Sequence, residues 1–156
     1  MKQFNEYPLA HVGFVVKDAQ ATANKFKEFF GIDDFQVYDF SPTRAWSYGK
    51  EVIGYKLKIA MAKMPGKDTK IEIIQPISNK GLHHDFVANG NSGMHHICYA
   101  VDDYDHWREL FVKQNAEIIF ESETEDDVIG YRRCFYAQDD VLGCVYEIKE
   151  NPYFRK

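Results

Sequence analysis

Long apolar runs are missing from this chain of 156 residues. No stretch approaches the roughly 18 consecutive apolar residues of a membrane-spanning helix, and the opening MKQFNEYPLA has no apolar core for a signal peptide. The expectation is a cytoplasmic protein that does not engage a membrane. Cysteine is scarce: Cys98, Cys134 and Cys144 are odd in number and form no Cys-x-x-Cys pair, which excludes a disulfide framework and a zinc ribbon. An excess of positive charge is absent too. The 24 acids outnumber the 19 bases, and a net charge of −5 argues against a footprint for nucleic acid or anionic lipid. There is no low-complexity tract, and the strongest charge run, ESETEDD at 121–127, reads as a solvated loop. What is abundant is core material, 45% apolar and 15% aromatic residues, enough for one compact unit.

The chain also contains itself twice. HVGFVVKD begins at His11 and HICYAVDD at His96, each a histidine, an apolar strand-like run and an aspartate seven positions on. Helical spacing follows, through Thr22, Phe26, Phe29 and Phe30 in one case and Trp107, Leu110, Phe111 and Gln114 in the other, with Gly31 and Asn115 as stops. Strand-like runs come next, DFQVYDF at 34–40 and AEIIFES at 116–122. Gly54-Tyr55-Lys56 and Gly130-Tyr131-Arg132 then open matched strands, each leading through a hairpin turn (65–68 and 139–143) into a last strand. The spacing predicts an α+β fold of two tandem βαβββ modules, 1–78 and 94–156, joined by a linker at 79–93 with one helical turn. From Gly54 to Glu72 is 18 residues and from Gly130 to Glu147 is 17, a mismatch of one.

Strand alternation assigns faces. Val12, Phe14 and Val16 should pack on the first helix, with His11 on the opposite side. Ile97, Tyr99 and Val101 should pack on the second helix, which groups His95 with them and sets His96 opposite. Glu72 and Glu147 fall on the faces away from the helices. His11, Glu72, His96 and Glu147 therefore occupy equivalent places in the duplication, and a pseudo-twofold axis would bring all four together. Two carboxylates inside apolar strands are costly unless paired or ligating a metal. Two imidazoles and two carboxylates suit one divalent ion of zinc, nickel, cobalt, manganese or iron. His83 and His84, in the linker without repeat partners, read as exposed, and His106 as a surface residue.

These residues carry a resemblance. TKIEIIQP at 69–76, GMHHICYAVDD at 93–103 and VYEIKE at 145–150 resemble the vicinal oxygen chelate superfamily, and within it most of all the methylmalonyl-CoA epimerases. The resemblance spans essentially the whole chain. It implies paired βαβββ modules whose curved mixed sheet encloses a metal cavity, with His11, Glu72, His96 and Glu147 as the ligands, and a homodimer. Some bacterial epimerases similar to this chain carry a glutamate on the third strand as general base, whereas IGYKLKIAM at 53–61 has no acid, and Glu51 just before it is the nearest carboxylate.

The chemistry so implied is proton abstraction next to a carbonyl, with the cation stabilising the enolate as a Lewis acid. Glu147 is the first candidate for the base, Glu72 the second and Glu51 the third. Lys56, Lys58, Arg132 and Arg133 on the matched strands are candidates for holding a substrate carboxylate or phosphate. The small-molecule partner would be an acyl-CoA thioester for an epimerase or a glutathione hemithioacetal for a glyoxalase I-like lactoylglutathione lyase using the same ligands. An extradiol dioxygenase needs only two histidines and one carboxylate, so the fourth ligand argues against it. A metal-free drug-binding protein of the bleomycin-resistance type shares the fold, but retention of all four ligand types argues against that class as well.

Overall fold

The aspartates seven residues beyond the two histidines become helix N-caps: Asp18 Oδ1 accepts from the Ala21 amide and Asp103 Oδ1 from that of His106. The structure, a computed structural model, describes residues 2–65 and 68–151. Its elements are β1 (Leu9–Val15), α1 (Ala19–Phe30), β2 (Gln36–Phe40), β3 (Arg44–Ser47), β4 (Lys50–Glu51), β5 (Leu57–Lys63), β6 (Lys70–Pro76), α2 (Leu82–Ala88), β7 (Gly93–Val101), α3 (Tyr104–Lys113), β8 (Glu117–Asp126), β9 (Gly130–Gln138) and β10 (Val145–Glu150), after a short 3-10 turn at Phe4–Glu6. Gly31 closes α1 in the left-handed region at φ 68°, and Asn115, just past α3, takes φ 66°. Of the first hairpin turn, Gly66 and Lys67 lie outside the described residues.

All ten strands form one sheet in the order β2-β5-β6-β1-β7-β10-β9-β8-β3-β4. Read inward from either side, β2-β5-β6-β1 mirrors β8-β9-β10-β7, so the two βαβββ units meet at the antiparallel β1–β7 pair. α1 packs on one outer face against Val16, Ala60, Ile71 and Ile73, and α3 on the other against Val101, Phe135 and Ile148. Each fully buried side chain of this size contributes roughly 1.5–3 kcal/mol. A third cluster, with Tyr55, Leu57, Ile59, Ile74, Phe120 and Tyr136, fills the inside of the curl, where Leu82 of α2 joins it. Phe29 and Phe30 depart from the expected apolar stripe: they stay 70% and 71% exposed, and Ala19 and Ala23 are the buried positions of α1.

Three expectations are corrected. The run 121–127 is not a loop, since β8 continues to Asp126 with Ser122 and Thr124 buried. Its glutamates alternate with small hydroxyl residues, which is strand periodicity written in polar letters. The linker holds the seven-residue helix α2 rather than one turn. And β3–β4 is an additional hairpin between β2 and β5, with β3 pairing antiparallel with β8 of the other half. Phe40 and Arg44 are four residues apart, so at most about 14 Å separates strands near opposite ends of the sheet order. The sheet must curl until its edges face each other, and residues 41–43 strap the opening.

Candidate metal centre

The register of the four central strands builds the site. Gly13 on β1 pairs with Glu72 on β6 and His96 on β7, while Cys98 on β7 pairs with His11 on β1 and Glu147 on β10. Each half thus contributes one histidine and one glutamate to the concave side, all buried. His11 Nε2 lies 2.9 Å from Glu147 Oε2, 3.2 Å from Glu72 Oε1 and 3.3 Å from His96 Nε2. His96 Nε2 lies 3.2 Å from Glu147 Oε2 and 3.3 Å from Glu72 Oε1. All four ligand atoms fall within 4.8 Å of one another.

This geometry fits a divalent cation. Ligands about 2.0–2.2 Å from one ion are separated by about 2.9–3.5 Å along the edge of its coordination shell, the spacing of the five pairs just given. The donor set fits as well, because two carboxylates neutralise a dication and two imidazole Nε2 atoms aimed at one point have lone pairs to give. The imidazoles and carboxylates also pair with one another. Burial works to raise the Glu72 and Glu147 carboxyls, but the imidazoles hold both below the ordinary carboxylate range. Burial likewise works to lower His11 and His96, and the carboxylates raise both above the ordinary histidine value.

Two neighbours of this cluster escape simple alternation. β1 and β7 shift register between Gly13↔His96 and Phe14↔Met94, a bulge at His95 that sets both imidazoles against Tyr136 instead of on opposite faces. His95 Nδ1 is 2.9 Å from His96 Nδ1. Ligation through His96 Nε2 requires a proton on Nδ1, and His95 is the acceptor for it. Replacing His95 by alanine is therefore expected to weaken divalent-ion affinity about 10- to 100-fold, measured by competition with a chromogenic chelator, where a mere packing residue would leave it unchanged.

His83 is the second correction at the site. It is 1% exposed, not a surface residue, with Nδ1 2.5 Å from the Tyr55 hydroxyl and Nε2 3.1 Å from that of Tyr136. Burial lowers its pKa to about 3, so the ring is neutral, one nitrogen accepting and the other donating. His84, by contrast, stays partly exposed beside Asp85, and His106 stacks edge-on against Trp107.

A cavity of about 200 Å3 opens onto His11, Glu72 and Glu147. Of the basic candidates, Arg132 and Arg133 line it, Arg132 paired with Asp126 and Arg133 with Glu150 and Asp105. Lys56 instead pairs with Asp39, 3.3 Å away. Glu51 is not brought to the cluster: on β4 it forms a two-pronged ion pair with Arg44 at 3.0 and 3.1 Å. The cavity also holds residues that the repeat had not singled out, among them Tyr38, Tyr136 and Lys149. Lys149 was legible by alternation, two residues beyond Glu147, and Gly13, two beyond His11, likewise. An added Cβ at Gly13 would sit 2.1 Å from His96 Nε2.

Comparison with known proteins agrees with this architecture. The Glyoxalase/Bleomycin resistance protein/Dioxygenase superfamily matches residues 10–135. An ethylmalonyl-CoA/methylmalonyl-CoA epimerase of Cereibacter sphaeroides is 26% identical over 91% of this chain and 96% of its own length. The mitochondrial methylmalonyl-CoA epimerase of Dictyostelium discoideum is 28% identical over 71% of this chain, an alignment spanning 59% of that longer protein. The crystal structure of methylmalonyl-CoA epimerase from Mycobacterium tuberculosis shares the fold, with a TM-score of 0.66 at 16% identity over 96% of this chain and 92% of that one.

Proposed function

The chain belongs to the glyoxalase/bleomycin resistance/dioxygenase superfamily, and from that premise we propose that it is a divalent-metal-dependent epimerase acting next to the carbonyl of an acyl-CoA thioester. The observation that carries the reading is the buried convergence of His11, Glu72, His96 and Glu147 at the inner end of a cavity large enough for a small acyl group. Resemblance to the two curated epimerases supports the choice of reaction within the superfamily.

The four residues would hold the cation. When bound, it supplies Lewis-acid stabilisation of negative charge developing on the thioester oxygen, where each 1.36 kcal/mol of barrier is worth tenfold in rate. Glu147 would take the proton from the reacting carbon, from its place on the cavity lining. Glu72 is the matching carboxylate of the other half, so the pseudo-twofold gives a second group able to return a proton to the opposite face. The apolar lining of Leu57, Ile59, Ile74 and Phe120 lowers the polarity around the reacting carbon.

The test is deuterium incorporation at the carbon between the two carbonyl groups of methylmalonyl-CoA, followed by NMR in D2O with metal-loaded protein. Exchange is expected, slowed about 100-fold or more in Glu147→Gln and unchanged in Glu51→Gln. Turnover of a glutathione hemithioacetal with no thioester exchange would replace the epimerase by a lyase.

A further inference from the structure

The two halves differ at the residue that stands across from each glutamate. Met61 pairs with Glu72 on β6, and at the same place in the second half Tyr136 pairs with Glu147 on β10. Both line the cavity, so one glutamate has a thioether beside it and the other a phenol. The helix α2, which has no counterpart in the repeat, brings His83 to that phenol. Tyr55, His83 and Tyr136 form a buried chain, and all three lie on the cavity wall.

The chain carries one proton more than its contacts use. Its side chains bring three, two on hydroxyls and one on the neutral imidazole, to two side-chain contacts. One hydroxyl proton is therefore left over at one end, and distance tells which. The Tyr55 oxygen is 2.5 Å from His83 Nδ1, below the N–H donor range of about 2.7–3.2 Å and within reach of a hydroxyl donor, whereas the Tyr136 oxygen is 3.1 Å from Nε2, inside the N–H range. Tyr55 thus donates to Nδ1 while its oxygen accepts the His83 amide at 3.2 Å, and Nε2–H donates to the Tyr136 oxygen. The Tyr136 O–H is left without an acceptor among the described residues, in a buried residue where an unmade hydrogen bond is costly.

We propose that the Tyr136 hydroxyl is a catalytic hydrogen-bond donor to the substrate oxygen on which negative charge develops, held in its donating state by the chain from Tyr55 through His83. The proposal rests on reading this cavity as the site of an epimerase. The proton stays on the phenol throughout, and the hydrogen bond strengthens as the oxygen gains charge. Tyr136 stands beside Glu147 across β9–β10, and its ring lies 5.0 Å from that of His96 between centroids, so the donor and the group that takes the carbon proton are neighbours. Met61 offers the first half no such donor. His83 and Tyr55 are positioning residues: they fill the accepting side of the Tyr136 oxygen and leave its proton for the substrate.

Two measurements test it. Nuclear magnetic resonance of protein carrying isotope-labelled histidine reads the tautomer of His83 with no ligand present, and the Nε2–H form is expected. The Nδ1–H form would draw the Tyr136 proton into the chain and overturn the proposal. The second measurement is the carbonyl stretch of isotope-labelled propionyl-CoA bound to metal-loaded protein. A shift to lower frequency is expected in wild type, a smaller one in Tyr136→Phe, and a larger one with 3-fluorotyrosine in place of Tyr136, a stronger donor that keeps the ring. In Tyr136→Phe, kcat for methylmalonyl-CoA exchange should fall about 100- to 1000-fold, the cost of removing one such donor, with KM and metal content little changed. A carbonyl frequency that is the same in wild type and Tyr136→Phe overturns the donor, and should Tyr136→Phe lose metal, an unmoved frequency in the fluorotyrosine protein overturns it instead. Exchange that does not depend on Tyr136 removes this proposal alone. A Tyr136-dependent carbonyl shift without exchange removes the epimerase reading alone, and absence of both binding and exchange removes both.

Discussion

Replacing His96 by alanine is expected to lower affinity for a divalent cation by more than about 100-fold, beyond the 10- to 100-fold typical of losing a group behind a ligand. The imidazole is fully buried, and its Nε2 stands 3.2–3.3 Å from both glutamates and from His11. Without it, three donors remain and Glu72 and Glu147 share a single imidazole. The metal-free variant should also be destabilised by about 3–5 kcal/mol, the usual cost of removing one partner from a buried ionic group. Elemental analysis after dialysis and chemical denaturation separate the two effects. Acid should act on the wild type in the same direction. His11 and His96 have raised pKa values in the metal-free cluster, so protons compete with the cation from above the ordinary histidine range downward, and affinity falls as pH falls. Metal content in His96→Ala equal to wild type would remove the centre altogether.

Gly13→Ala should have nearly the same functional effect without deleting any ligand. The new methyl group would occupy a point 2.1 Å from His96 Nε2, 2.2 Å from its Cε1 and 2.6 Å from its Cδ2, so the ring has to leave. Its exits are blocked by Tyr136, whose tilted ring lies 5.0 Å away between centroids, and by the His95 contact. Overpacking of this kind costs typically 1–3 kcal/mol. The glycine is required here for space rather than for backbone freedom, since its φ is outside the left-handed range. Loss of metal with retained far-ultraviolet circular dichroism is the expected result, and unchanged metal affinity in Gly13→Ala would mean that His96 does not hold the ion through Nε2.

The helix stops, the two matched strand sets and the convergence of four residues could all be read from the sequence because each rests on a local period or on the internal repeat. His11, Glu72, His96 and Glu147 are fixed by strand parity, and parity survives any error in where an element begins. His95 could not be placed in this way, because a bulge breaks parity and has no letter of its own. His83 was misplaced for the opposite reason: α2 has no twin in the repeat, and only tertiary contact with Tyr55 and Tyr136 explains a buried histidine there. The ESETEDD run shows a third kind of failure. Charge argued for solvent, yet every second residue was small and faced inward, so the alternation was the better guide. Glu51 stood nearest the expected position along the chain and ended on a hairpin at the far edge of the sheet.

That hairpin also bears on the order in which the molecule assembles. β3 is only four residues long, carries the two-residue β4 on its outer side, and finds its partner β8 in the opposite half of the chain. A pairing so distant in sequence pays its loop-closure entropy late, after the local hairpins β5–β6 and β9–β10 have formed. The strap from Phe40 to Arg44 is tied to this pairing, so the seam of the curl is completed after the central strands are in place.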